Sequence, residues 1–182
     1  HNGIDAAGIN VPGWLSFGDT DNFNRDRMAK YLALDAEGRT VHALLIDGKP
    51  LESLVITGNP ALLPASIRLA SGESDLLREW NGASLLAQHL AVARASYDLL
   101  FVDCSPSLGL LTVNALAAAT HVLVPVKTDY LSLMGVALLF ETIDKIRTRL
   151  NPELAVLGVL PTMHDARNSH DREALGELAS TP

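Results

Sequence analysis

A single cysteine, Cys104, stands among 182 residues. No internal disulfide can form, and no cysteine-based zinc cluster can be built. An iron–sulfur dimer also fails, because it takes more than one thiolate from each subunit. A reducing cytosol is the compartment this implies. Aromatic residues make up only 5%, which leaves the core to Leu, Ala, Val and Ile, as in helices packed on a parallel sheet. No stretch approaches the roughly 18 apolar residues of a membrane span, and no signal peptide is visible. Positive charge is in deficit, with 14 Lys and Arg against 21 Asp and Glu and a net charge of −7. Such a field repels nucleic acid unless a local basic patch overrides it. Repeats, low-complexity tracts and linkers are absent beyond Arg25. What remains is 48% hydrophobic and 19% charged, which excludes disorder and suits one domain with a substantial core. The first residue is histidine rather than methionine, so a fragment or a processed form is expected.

The most informative stretch is Tyr-Asp-Leu-Leu-Phe-Val-Asp-Cys-Ser-Pro-Ser-Leu-Gly, residues 97–109. The run Leu99 to Val102 is too short for a helix and does not alternate, so it is expected as a strand covered on both faces. Asp103 ends the run, where open parallel sheets place ligands. A carboxylate there can hold a magnesium ion, directly or through water, beside a triphosphate. The plainer alternative is that Asp103 caps the following turn.

Around this stretch, helices and strands alternate. Arg25 to Leu34 reads as a short helix. Thr40 is an N-cap for Val41 to Ile46, stopped by Asp47-Gly48 and Pro50. Leu62-Leu63 suggest a brief strand, and Ser71 or Ser74 starts a helix through Trp80. Leu85, Leu86, His89, Val92 and Ala93 form an apolar stripe on a helix that ends near Ser96. Leu110 to Ala119 is helical, and Val122 to Val126 is a buried strand. Leu133, Val136, Leu139, Phe140, Ile143, Ile146 and Leu150 mark the inner face of a long helix, with Glu141, Asp144, Lys145, Arg147 and Arg149 outside. Leu154 to Leu160 is a further strand, and Asn168 caps a final helix. This order predicts βαβ units and a doubly wound, mostly parallel α/β sheet flanked by helices.

The text from Tyr97 through "DCSPSLGLLTVNALAAATHVLVPVKTDYLSLMGVALLFETIDKIRTRLNPELAVLGVLPTMHDAR" resembles the ParA/Soj branch of the ParA–MinD ATPases. There the pattern is YDxxxxDxPPSLGxLTxNAL, a V-x-P-V strand, a long helix, N-P-x-L and a G-V-L-x-T-M strand. "RTVHALLIDGKPLESLVI" and "LLPASIRLA" upstream are similar to the same family. The resemblance runs from Asp19 to Leu178 within a single domain over 1–182, with 1–18 atypical, and implies a P-loop NTPase-like fold, incomplete at its N-terminus.

It also implies roles by position. Asp21 of Asp19-Thr20-Asp21 would orient the attacking water, with Asp19 near the magnesium shell. Here, however, Asn22-Phe23-Asn24 replaces the family's P-Q-G-N, and a solvated Asp-rich turn is the competing reading. Asp103 would hold Mg²⁺ through water. Pro106, Thr162, Met163 and Asp165 would line the nucleotide, the last three near the adenine. Pro125, Asp129, Tyr130 and Gly135 resemble the segment that lines the dimer-facing edge. Lys145, Arg147, Arg149, Arg167 and Arg172 would contact DNA phosphates; a solvated helix face is the bland alternative.

ATP needs a glycine-rich loop with a lysine on its β/γ oxygens. Gly3 and Gly8 match the spacing, yet Ile9 and Asn10 stand where Lys and Ser/Thr are required, so the match is chance. His164-Asp165 and His170-Asp171 lack a third clustered ligand and read as surface polar residues. His89 reads as a packed core histidine. The absence of G-x-S-x-G rules out a hydrolase triad around Ser105 and Ser107.

The resemblance therefore implies a bacterial or archaeal partition ATPase. It would be cytoplasmic and nucleoid-associated, with a homodimer as the active form and with ATP and Mg²⁺ as cofactors on condition that the native chain carries the phosphate loop missing from this sequence. DNA and a ParB-like centromere-binding protein would be its partners. Two other readings stay open: a non-catalytic scaffold that has lost the phosphate loop, and a MinD-like positioning ATPase, which needs an amphipathic C-terminal helix.

Overall fold

The computed structural model describes residues 37–58, 60–105, 107–128, 130–162, 167 and 176. The chain divides into two compact units, His1–Glu79 and Trp80–Pro182. The expected helices at Arg25 to Leu34 and after Asn168 lie outside the described residues.

In the first unit, Thr40 does cap a helix. Its backbone is extended, and its Oγ1 accepts the Ala43 amide at 3.4 Å, opening α1, Val41–Leu45. That bond satisfies one of the amides a helix start leaves without a partner. A short helix follows, α2, Leu51–Leu54, and Arg39 Nη2 closes its far end by donating to the Val55 carbonyl at 2.6 Å. The third helix, α3, spans Arg68–Leu76. It starts earlier than either serine suggests, and it stops short of Trp80. Ser71 and Ser74 instead donate their hydroxyls to the carbonyls of Arg68 and Ser71, three residues back. A serine inside a helix can satisfy itself that way, so it need not mark a start. Leu62 forms only an isolated antiparallel bridge with Ile56. Leu44, Leu54 and Leu76 are fully buried and centre this unit's core. Gly72 lets α3 come close to α1: a Cβ there would stand 2.9 Å from Ile46 Cγ1.

The second unit holds α4 (Leu85–Ala93), α5 (Leu110–Ala118), β1 (His121–Lys127), α6 (Tyr130–Arg149) and β2 (Ala155–Thr162). The strands β1 and β2 pair in parallel through α6, the βαβ unit expected from the alternation. Val136, Ile143 and Ile146 of α6 are buried against Val124, Val126, Leu116 and Leu154, with Leu139 and Phe140 packed beside them. Each fully buried aliphatic side chain contributes about 1.5–3 kcal/mol. The predicted inner stripe therefore holds from Val136 through Ile146, but Leu150 is exposed. On α4, Leu86 and Ala93 are buried and His89 is half-buried, whereas Val92 lies in solvent.

Polar side chains lock these helices together. Asn114, fully buried on α5, accepts the Leu86 amide at 3.2 Å and donates to the Gly82 carbonyl at 2.6 Å. It thereby ties α5 to the start of α4. Asn151 Nδ2 donates to the carbonyls of Leu116 and Ala119 at 3.0 and 2.6 Å, closing the end of α5. Arg94 Nη2 adds a 2.9 Å bond to the Ala118 carbonyl.

The strand pairing contains one irregularity. Val122 lies opposite Val156 but Leu123 lies opposite Gly158, so Leu157 has no partner. Gly158 has φ +142°, a conformation that L side chains rarely adopt and glycine reaches freely. The bulge falls where glycine permits it.

One expectation fails. Residues 99–103 form no strand among the described residues. Leu99 is 68% and Phe101 83% exposed, so the run is not covered on both faces. An apolar run becomes a central strand only when ladders flank it and helices cover it. Among the described residues, β1 and β2 pair only with each other.

Candidate functional site

Asp103 sits at the end of this exposed run. Its carboxylate has no hydrogen-bond or ion-pair partner among the described residues. The turn after it is held from α5. Thr112, buried in the first turn of that helix, donates from Oγ1 to the Ser107 carbonyl at 2.6 Å. The hydroxyls of Ser105 and Ser107 lie 2.8 Å apart. Gly109 is the extended N-cap of α5, and its carbonyl accepts the Val113 amide at 3.1 Å.

Cys104 is exposed. The protein atoms crowding it, and secondarily the Asp103 carboxylate, raise its thiol above the ordinary value of 9.0. Both effects disfavour the thiolate. By area the side chain reaches solvent, so this desolvation is partial, and a thiol held neutral in this way is a poor nucleophile.

The remaining expected residues are spread out. Thr162 ends β2 opposite Lys127 and is half-buried. Lys145, Arg147 and Arg149 lie exposed on α6, and Arg167 is exposed as well. Pro125 is exposed on β1 and Gly135 on α6. Asp19, Asp21, Pro106, Asp129, Met163, Asp165 and Arg172 lie outside the described residues, as do His164 and His170. Of the proposed nucleotide and metal ligands, only Asp103 and Thr162 are described, and nothing brings the two together.

Three polar residues escaped the reading of the sequence. Thr112 and Asn114 stand inside the apolar helix Leu-Leu-Thr-Val-Asn-Ala-Leu, where a polar residue needs a partner. That mismatch was the available signal. The third is Thr128, buried after β1, whose Oγ1 finds no hydrogen-bond partner among the described residues. Among the described residues, no group of three or more His, Cys, Asp or Glu could hold a metal ion. No described helix is long and apolar enough to cross a membrane.

Comparison with known proteins covers the same region. The AAA-domain family matches residues 19–156. An uncharacterized protein of Mycobacterium tuberculosis is 38% identical, over 77% of this chain and 45% of its own. The chromosome-partitioning ATPase Soj of Thermus thermophilus is 41% identical, over 75% of this chain and 52% of its own. Among solved structures, cobyrinic acid a,c-diamide synthase from Mycobacterium smegmatis with bound ATP analog and magnesium superimposes with a TM-score of 0.72. It is 35% identical, over 79% of this chain and 59% of that one. The chain spans about half the length of the curated relatives it matches.

Proposed function

The chain belongs to the AAA-domain family of ParA/Soj-type partition ATPases, with their P-loop α/β fold, and on that premise we propose that it acts as a nucleotide-dependent partition protein. The observation that carries the reading is Asp103: an exposed carboxylate with no partner among the described residues, at the end of an apolar run and next to a turn pinned by a buried helix. Hard cations such as Mg²⁺ take oxygen ligands and keep several waters, and a carboxylate open to solvent fits that demand. Magnesium and ATP, when bound, supply charge neutralisation and a reactive phosphoryl group. Asp103 would hold the water shell of the metal, and Asp21 would orient the attacking water. Asp19, Pro106, Thr162, Met163 and Asp165 would line the nucleotide. Catalysis of this class is positioning plus charge stabilisation. Two copies form the working dimer, which binds DNA through Lys145, Arg147, Arg149, Arg167 and Arg172 and engages a centromere-binding partner.

Calorimetry with ATP, with and without Mg²⁺, tests this on the wild type and Asp103→Asn. The expected result is magnesium-dependent binding that the variant loses while circular dichroism is unchanged. A folded wild type that takes up no nucleotide would end the ATPase reading. It would leave a scaffold, for which the exposed Leu99–Val102 run already speaks, since that run suits association with another protein.

A further inference from the structure

We propose that Thr112 is the positioning residue for Asp103, fixing through the Ser107 carbonyl the turn on which that carboxylate stands; this rests on reading Asp103 as the magnesium-facing group. The segment that carries Asp103 has no strand ladder among the described residues to hold it. Among the described residues, the Thr112 hydroxyl ties it downstream, at 2.6 Å from the Ser107 carbonyl.

This bond differs from those of other helical threonines in the chain. Thr142 and Thr148 donate to the carbonyls of Leu138 and Asp144, four residues back within α6. Thr112 reaches five residues back and leaves its helix altogether. A back-bonded threonine satisfies only itself. One that reaches a loop from a buried helix sets where the loop runs.

The helix behind it does not give. Asn114 fixes α5 to the start of α4, and Asn151 and Arg94 bind the carbonyls near its end. The Ser105 and Ser107 hydroxyls, 2.8 Å apart, carry the constraint towards Asp103. A ligand-bearing carboxylate needs such support, because groups that orient a metal ligand typically affect metal affinity by about 10–100-fold.

Backbone hydrogen exchange over residues 99–109 reports on the turn independently of any nucleotide. The test compares wild type, Thr112→Val and Thr112→Ser by two measurements. One is the magnesium midpoint of ATP binding. The other is the exchange rate of that segment. Thr112→Val keeps the shape and removes the donor. It is expected to raise the magnesium midpoint about tenfold. It should also speed exchange over 99–109 while leaving α6 unchanged. Thr112→Ser keeps the hydroxyl and should match wild type in both.

If Thr112→Val leaves the exchange of residues 99–109 unchanged, the proposal is overturned. It is equally overturned if Thr112→Ser exchanges as fast as Thr112→Val, because the threonine is then a packing residue. If wild type binds no ATP, the ATPase reading falls, yet the exchange rates still decide whether Thr112 positions the turn. Should Thr112→Val not fold, Thr112→Ala takes its place with the same expected changes.

Discussion

The side-chain oxygen of Asn114 accepts the backbone amide of Leu86, 28 positions earlier, at 3.2 Å. The same side chain donates to the Gly82 carbonyl at 2.6 Å, so one amide group serves two backbone groups at the start of α4. Asn114→Leu leaves both without a partner. Each buried orphan costs about 1–3 kcal/mol, so urea unfolding should show a loss of about 3 kcal/mol. A change smaller than about 0.5 kcal/mol, the range of ordinary surface substitutions, would show that water replaces the asparagine.

Gly158 and Gly135 make a matched pair. A Cβ at either position meets nothing within 4 Å, but only Gly158 has a positive φ, +142°. Gly158→Ala should therefore cost about 1–3 kcal/mol through backbone strain alone. Gly135→Ala, at an exposed position inside α6, should gain up to about 1 kcal/mol. Thermal midpoints moving in the same direction for both would contradict this assignment.

Burial and then Asp103 raise the Cys104 thiol from 9.0, and the sign of the pH effect follows. The folded state holds this proton more tightly than the unfolded chain does. Its contribution is complete below pH 9.0 and is lost as pH rises through the raised value. Asp103→Asn removes the second cause, so its alkylation profile should shift to lower pH. Urea midpoints across the alkaline range should then fall less steeply for Cys104→Ser than for wild type.

Lys145, Arg147 and Arg149 are exposed on α6, in a chain whose net charge is −7. If they meet DNA phosphates, replacing all three by Ala should make the slope of log affinity against log salt shallower by about 2 to 3. Loss of affinity with an unchanged slope would point to a fold defect instead.

Much of the second unit was legible because its signals are local. Helical spacing placed Val136, Ile143 and Ile146 on one face of α6. In the first unit, Thr40 marked α1 through its hydroxyl. Valine-rich text marked β1. The first departure was long-range: Leu99 to Val102 has the composition of a central strand, but composition does not supply the neighbours a strand needs. The second was chemical ambiguity, since Ser71 and Ser74 look like caps until their hydroxyls are seen bonded backwards. Of the site, Asp103 was legible as the end of an apolar run. Thr112 was not, because a threonine gives no sign that its partner lies in a loop five residues away.

The unpartnered Leu157 works as a parity switch. Side chains alternate faces along a strand, so Val156 and Val159, an odd number of positions apart, should point to opposite sides. The extra residue cancels the difference: they lie opposite Val122 and Val124, and both pack against the core that α6 covers. It also puts Thr162 across from Lys127, on the face turned away from that helix. Deleting Leu157 alone would leave Val156 and Val159 two positions apart and on one face with no bulge between them, and Thr162 would still stand opposite Lys127. The strand would lose its irregularity and keep its chemistry, whereas deleting a paired residue downstream would turn every later side chain to the other face.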